Sequence, residues 1–360
     1  MPSPQARRKP LKREIELDFI RGIAILLVLD FHAPTSILLA PFKWMGFQHF
    51  GWAGVDVFFV LSGFLVGGLL VREWKSRSRI DSKRFLIRRG FKIWPQYYFF
   101  LLVMLLTGHR GLHALWGNLL NIQNYVGGVA HTWTLAVEEH AYLLLALALA
   151  FAARKHVRMR SLFVTVGAAA LAVIIWRTIL AARGVNTFTR TDTRIDGILY
   201  GVMLAILYHY SPALFRRIQS WTWAWLGVIA LALVYFRVNP TSWWGPGISY
   251  ACADAMGVAL LLLLYKHHEG RQRPALYRLI AWIGLYSYGI YLWHVSMVAP
   301  MESAAHHLPG RVGAVFLAIA PPLAGIALGV LTTKAIEFPA LALRDRLFPR
   351  KVDIEVGVPT

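Results

Sequence analysis

Long apolar stretches alternate with short, mostly basic ones along the whole 360-residue chain. Apolar runs near the ~20 residues that carry a helix across a bilayer fall at roughly 15–37, 52–71, 90–107, 131–153, 161–182, 193–210, 220–237, 246–265, 278–300 and 313–341. Cytoplasmic loops retain an excess of Lys and Arg, so the charges between the runs test this parse. Of the 38 cations, 28 fall on one set of alternate segments, from Arg7 through the cluster Arg72 to Lys92 and on to Lys351. The opposite set holds six: Lys43, Arg110, Arg183, Arg190, Arg194 and Arg311. One helix more or fewer would destroy the alternation downstream. The pattern predicts an all-α polytopic membrane protein of about ten transmembrane helices with both ends in the cytoplasm. It divides into a basic N-terminus (1–14), a single transmembrane domain (15–342) and a C-terminal tail (343–360), too short for a further domain.

Composition changes this picture little. Hydrophobic residues make up 57% of the chain, more than a soluble domain with a solvated surface carries. The net charge of +20 would point to nucleic acid if it lay along one face, but it sits in patches between apolar runs, and no nucleic-acid partner is expected. The single cysteine, Cys252, excludes an intramolecular disulfide and a thiolate metal cluster. The first apolar run carries Asp18 and Arg21 and meets no small-residue cleavage site, so it reads as a retained helix.

Ionisable residues at membrane depth cost ~2.5–3.5 kcal/mol each and mark candidate sites. Arg21 and His32 lie eleven residues apart in the first run, which on a helix returns to nearly the same face about 16 Å further along. They are expected to line one cavity, with His32 as the best available general base. Residues 54–64 place Asp56 near the outer face, and Ser62 reads as a packing residue rather than a nucleophile. The basic cluster around Arg88, Arg89 and Lys92 at the cytoplasmic face suits either lipid headgroups or the phosphates of a cofactor. His131 to Tyr142 open the fourth run with Glu138, Glu139 and His140. Adjacent helical residues diverge by 100°, so the two carboxylates cannot face one ligand. With no H-E-x-x-H spacing, metal binding is not expected. Arg194 and Asp196 read as structural pairing with other helices, and His294 with Tyr291 as a ligand-like pair.

These segments, in this order, resemble the integral-membrane acyltransferase family three, whose members O-acetylate envelope glycans and some secreted or antibiotic molecules. The family's Arg-x10-His pair resembles Arg21 and His32, and its G-V-D-x-F-F-x-L-S-G-F segment resembles residues 54–64. Its Arg-x-x-Arg-x-x-Pro element looks like Arg89, Lys92 and Pro95, with a Lys in second place that keeps the charge and loses the bidentate fork. W-S-L-x-V-E-E-Q-F-Y is similar to 133–142, with Thr134, His140 and Ala141 departing. S-Y-x-I-Y-L-W-H matches 287–294, and a closing Glu-x-Pro matches Glu337 and Pro339.

The resemblance implies an O-acyltransferase in a bacterial cytoplasmic membrane, moving an acyl group, acetyl by family analogy, from cytoplasmic acyl-CoA to a hydroxyl of an extracytoplasmic glycan or glycolipid. On that reading Arg21, Arg88, Arg89 and Lys92 bind acyl-CoA. His32 is the base, oriented by Glu138 or Glu139. Asp56, Trp133, Arg194, Tyr291 and His294 face the acceptor, and Asp196 and Glu337 are structural. The rivals are acylation of a small secondary metabolite such as a macrolide, a proton-coupled transporter and a catalytically dead scaffold for envelope assembly.

Overall fold

The computed structural model describes residues 14–34, 47–108, 111–238, 245–266 and 272–349. Among the described residues the regular structure is helical throughout: α1 (Ile15–His32), α2 (Ala53–Arg77), α3 (Ser82–Leu106), α4 (Leu112–Leu119), α5 (Gln123–Val126), α6 (Trp133–Arg154), α7 (Met159–Ala182), α8 (Thr191–Arg194), α9 (Asp196–Tyr210), α10 (Pro212–Gln219), α11 (Thr222–Val238), α12 (Gly245–Leu264), α13 (Ala275–Leu285), α14 (Ser287–Trp293), α15 (Val298–Ala305), α16 (Gly310–Thr332) and α17 (Phe338–Leu347). Residues 35–37 of the first predicted run lie outside the described residues.

Every predicted run holds helix, yet by length and composition five segments qualify as membrane spans: Phe50–Arg77, Ala130–Arg154, Met159–Ala182, Gly247–Leu264 and Gly310–Leu347. A sixth is added if α9 and α10, bent by 120°, form one span. The other runs fall short for identifiable reasons. α1 carries Glu16, Asp18, Arg21 and Asp30, and the first half of α3 carries Lys83, Arg84, Arg88, Arg89 and Lys92. α11 has only 17 residues. The run 278–300 is broken at Tyr286 and again after Trp293 into α13, α14 and α15. The short helices α4, α5, α8 and α10 were not legible as apolar runs.

α2 is the central helix and packs on α1, α6, α9 and α12. Its approach to α9 depends on glycine: a Cβ on Gly63 would collide with the Ile198 carbonyl oxygen, and one on Gly201 would collide with that of Val60. Gly22 and Gly284 bring α1 and α13 together in the same way, and Gly289 and Gly329 join α14 to α16. Small residues at such crossings replace the hydrophobic driving force that lipid removes. By contrast, α7 and α16 leave Leu171, Ile175, Val315, Ile319 and Leu323 exposed, an apolar surface suited to acyl chains. At its end α16 passes through a π-helical turn, Thr333–Glu337, into α17.

Candidate active site

A cavity of about 190 Å³ lies between α1, α2, α3, α6, α13 and α14, with Arg21, Arg89, Lys92, Ser62, Glu138 and Tyr291 as its main polar wall. Its cations come from two helices, Arg21 from α1 and Arg89 and Lys92 from α3. Arg21 Nη1 is held by Asp18 Oδ1, 3.0 Å away and one turn earlier on α1. Lys92 of α3 pairs with Glu337, which the π-helical turn after α16 delivers. Arg89 donates through Nη2 to the Tyr142 hydroxyl at 2.5 Å and lies over that ring, 4.3 Å from its centroid. Its Nε is buried with no hydrogen-bond partner among the described residues.

Tyr142 is the hub of the polar wall. Its hydroxyl donates to Glu138 Oε2 at 2.5 Å, one helical turn away on α6. The phenol's one proton is thereby committed, so Ser62 Oγ, also 2.5 Å away, donates to the phenol oxygen. Arg89, Ser62, Tyr142 and Glu138 thus form one chain of hydrogen bonds along the cavity. Glu139 leaves that face and accepts from Trp94 Nε1 at 3.2 Å, as the helical divergence of neighbours requires.

His32 does not line this cavity. It borders a separate pocket of about 10 Å³ with Leu29, Ala33, His294, Val298, Pro321 and Pro322. The single cavity expected to run past Arg21 to His32 is divided because Ile25 and Val28, between them on α1, are fully buried in the core. No carboxylate of α6 reaches the His32 ring among the described residues. Its Nδ1 lies 3.0 Å from the Val28 carbonyl oxygen and 3.4 Å from His294 Nε2. Carbonyl oxygens only accept, so Nδ1 carries the proton and Nε2 keeps its lone pair. His294 donates from Nδ1 to the Tyr291 carbonyl oxygen at 2.6 Å, and His131 donates from Nε2 to that of Leu292 at 3.0 Å. The three imidazoles follow one another edge-on, with centroids 4.9 Å apart for His32 and His294 and 5.2 Å for His294 and His131.

Tyr291 stands between the two spaces. Its ring borders the larger cavity, its hydroxyl accepts from Thr134 Oγ1 at 2.8 Å, and it donates to the His131 carbonyl oxygen at 2.5 Å. The other residues predicted to face an acceptor are arranged differently. Asp56 and Arg194 are ion-paired at 2.6 Å with both side chains 1% exposed. Arg194 is caged by aromatic rings, 3.8 Å from the Tyr250 centroid and 5.3 Å from that of Trp133. Beside them Asp196 pairs with Arg177 at 2.8 Å. Arg88 turns away from the cavity to Asp345 at 2.9 Å and to the Phe348 carbonyl oxygen, because it is one residue short of the face that Arg89 and Lys92 share.

Sequence reasoning passed over three members of this arrangement. Tyr142 follows Glu138 by four positions, the spacing that puts both on one helical face. His131, which reads as the start of a motif, supplies both a ring and a carbonyl to the histidine row. Asp254, an acid inside an apolar run, is buried against Gly197, and the rule for intramembrane charge would have flagged it. Among the described residues no group of His, Cys, Asp and Glu is placed to hold a metal ion.

Comparison with known proteins adds an independent line. The profile of the family described as "Acyltransferase domain" matches residues 14–333. The peptidoglycan O-acetyltransferase OatA of Listeria monocytogenes is 26% identical over 319 residues, 78% of this chain and 49% of the relative. A Staphylococcus aureus protein provisionally assigned as an O-acetyltransferase is 24% identical over 330 residues, 82% of this chain and 52% of its own. A Bacillus subtilis protein provisionally assigned as a peptidoglycan O-acetyltransferase, YrhL, is 24% identical over 318 residues, 78% of this chain and 48% of its own. The chain therefore spans about half the length of the curated relatives it matches. No solved structure matches it.

Proposed function

The chain belongs to the acyltransferase-domain family, and from that premise we propose that it is a membrane O-acetyltransferase that takes acetyl from cytoplasmic acetyl-CoA and delivers it to a hydroxyl of an extracytoplasmic glycan. The observation that carries the reading is the cavity whose wall gathers Arg21, Arg89 and Lys92 with Ser62 and Glu138, and also includes Tyr291, which lies beside the row of histidines. Ten spans with both termini inside put Arg21 and the Arg89 and Lys92 turn towards the cytoplasm and His32 towards the outer face. The whole domain, residues 15–342, then works as one unit in the cytoplasmic membrane.

On this reading the cations neutralise acyl-CoA phosphates and the pantetheine arm fills the cavity. His32 Nε2 takes the proton of the acceptor hydroxyl, whose oxygen attacks the thioester carbonyl. The carbon–sulfur bond breaks, and the thiolate leaves and takes up a proton as CoA thiol. For the acyl carbon to come within reach of His32, the Ile25 and Val28 side chains that fill the stretch between the two spaces have to give way. Arg88, paired with Asp345, serves the phosphates only after exchanging that partner. Peptidoglycan is the first acceptor to try, since the named Listeria relative is a peptidoglycan O-acetyltransferase.

The test is transfer of labelled acetyl from acetyl-CoA to purified peptidoglycan by the reconstituted protein. His32→Ala should abolish transfer, a loss of at least ~10²-fold for a missing general base, while acetyl-CoA binding and the melting transition stay as in wild type. Full activity in that variant overturns the role of His32. Acetyl-CoA binding with no transfer to any hydroxyl acceptor would overturn the enzymatic reading.

A further inference from the structure

We infer that His294 is not an acceptor-binding residue but the positioning residue of His32, holding the base nitrogen in place from behind the ring. This rests on the reading of His32 as base. His294 is 2% exposed and His32 is partly exposed; both border the small pocket, and of the two it is His32 that offers surface to a substrate. The polar atoms of His294 are directed accordingly. Its Nδ1–H is given to the Tyr291 carbonyl oxygen at 2.6 Å, and its Nε2 lone pair faces His32 Nδ1 at 3.4 Å. His32 Nδ1–H is shared between that lone pair and the Val28 carbonyl oxygen at 3.0 Å. No hydrogen bond to His32 Nε2 occurs among the described residues.

The support behind His294 is rigid. Its ring is edge-on to both His32 and His131. The turn that carries it is pinned to the start of α6 twice, by the Tyr291 hydroxyl on the His131 carbonyl oxygen at 2.5 Å and by His131 Nε2 on the Leu292 carbonyl oxygen at 3.0 Å. Gly325 of α16 lets that helix close over it, since a Cβ there would sit 3.2 Å from His294 Cβ. When His32 takes the acceptor proton on Nε2, its ring becomes cationic and both nitrogens carry hydrogen. A fixed lone pair behind Nδ1 then stabilises the charge just as it forms, as an orienting group does for a catalytic histidine. That effect belongs to turnover and not to substrate binding.

Two substitutions separate the atoms involved. In His294→Asn the amide stops at the Nδ1 position, keeping the bond to Tyr291 and removing the acceptor behind His32. In His294→Gln the amide oxygen reaches the Nε2 position and keeps it. With labelled acetyl-CoA and peptidoglycan, His294→Asn should lower kcat at least ~10-fold with both KM values unchanged, and His294→Gln should recover most of it. In histidine-labelled protein, the Nδ1 resonance of His32, identified by its loss in His32→Ala, should move in His294→Asn and stay near its wild-type position in His294→Gln. A raised acceptor KM at unchanged kcat would make His294 an acceptor contact and overturn the proposal, as would an unmoved His32 resonance. If His32→Ala proves fully active, the base reading fails by itself, and the resonance still decides whether His294 positions the ring.

Discussion

At the scale of single residues, charge in this protein is placed in pairs, and pairing alone does not separate a structural ion pair from a ligand site. Lys92 and Glu337 show the difficulty. Glu337 is 2% exposed and needs a cation, while Lys92 also borders the cavity. Lys92→Glu should leave two facing carboxylates and lower both the melting temperature and acetyl-CoA affinity. The exchange Lys92→Glu with Glu337→Lys restores opposite charges but moves the cation to the other wall. Melting temperature should recover in the double variant while acetyl-CoA affinity stays at least ~10-fold weaker, measured by thermal melting and equilibrium binding. Recovery of both would mean that only the pair matters. The candidate residues themselves were legible, because an ionisable side chain in an apolar run stands out regardless of fold. Their partners were not, since Lys92 and Glu337, or Asp56 and Arg194, are far apart in the chain and meet only through helix packing.

At the scale of elements, backbone proximity between α2 and α9 sets the position of Ser62, which borders the cavity one residue before Gly63. Replacing Gly63 or Gly201 by Leu drives a side chain into carbonyl oxygens with which a Cβ alone would already collide. Each should destabilise by about 1–3 kcal/mol, and activity should fall with the folded fraction, read as melting temperature and monodispersity in detergent. Gly227 of α11 is the control, because a Cβ there would meet nothing within 4 Å; Gly227→Ala should hold or raise stability by up to ~1 kcal/mol. Runs of hydropathy found the long helices and missed α4, α5, α8 and α10, which are too short to register. The run 278–300 reads as continuous because its residues are mostly apolar, yet it is broken into α13, α14 and α15. The breaks aim Tyr291 at the cavity and His294 at His32.

At the scale of the whole molecule, the proposed ten-span arrangement with both ends inside makes a direct prediction. With Cys252 changed to Ser, a cysteine placed at Asn186, in the loop after α7, should react with a membrane-impermeant maleimide in intact cells. One placed at Ser78, between α2 and α3, should react only after permeabilisation. The reverse labelling would invert the topology and put the basic end of the cavity outside.

The alternation of apolar runs and basic loops, the helical class and the inventory of residues able to do chemistry were determined by the sequence alone. Hydropathy and loop charge act locally and need no knowledge of neighbours. The tertiary structure decided how that inventory is divided. Arg21 and His32 share a helix face but open into different spaces, because buried Ile25 and Val28 fill the stretch between them. Glu138 serves Tyr142 and Arg89 rather than His32, whose ring is backed by His294 from the far end of the chain. Those assignments depend on which helices touch, and close contact here is decided by glycines and long-range packing rather than by any local pattern.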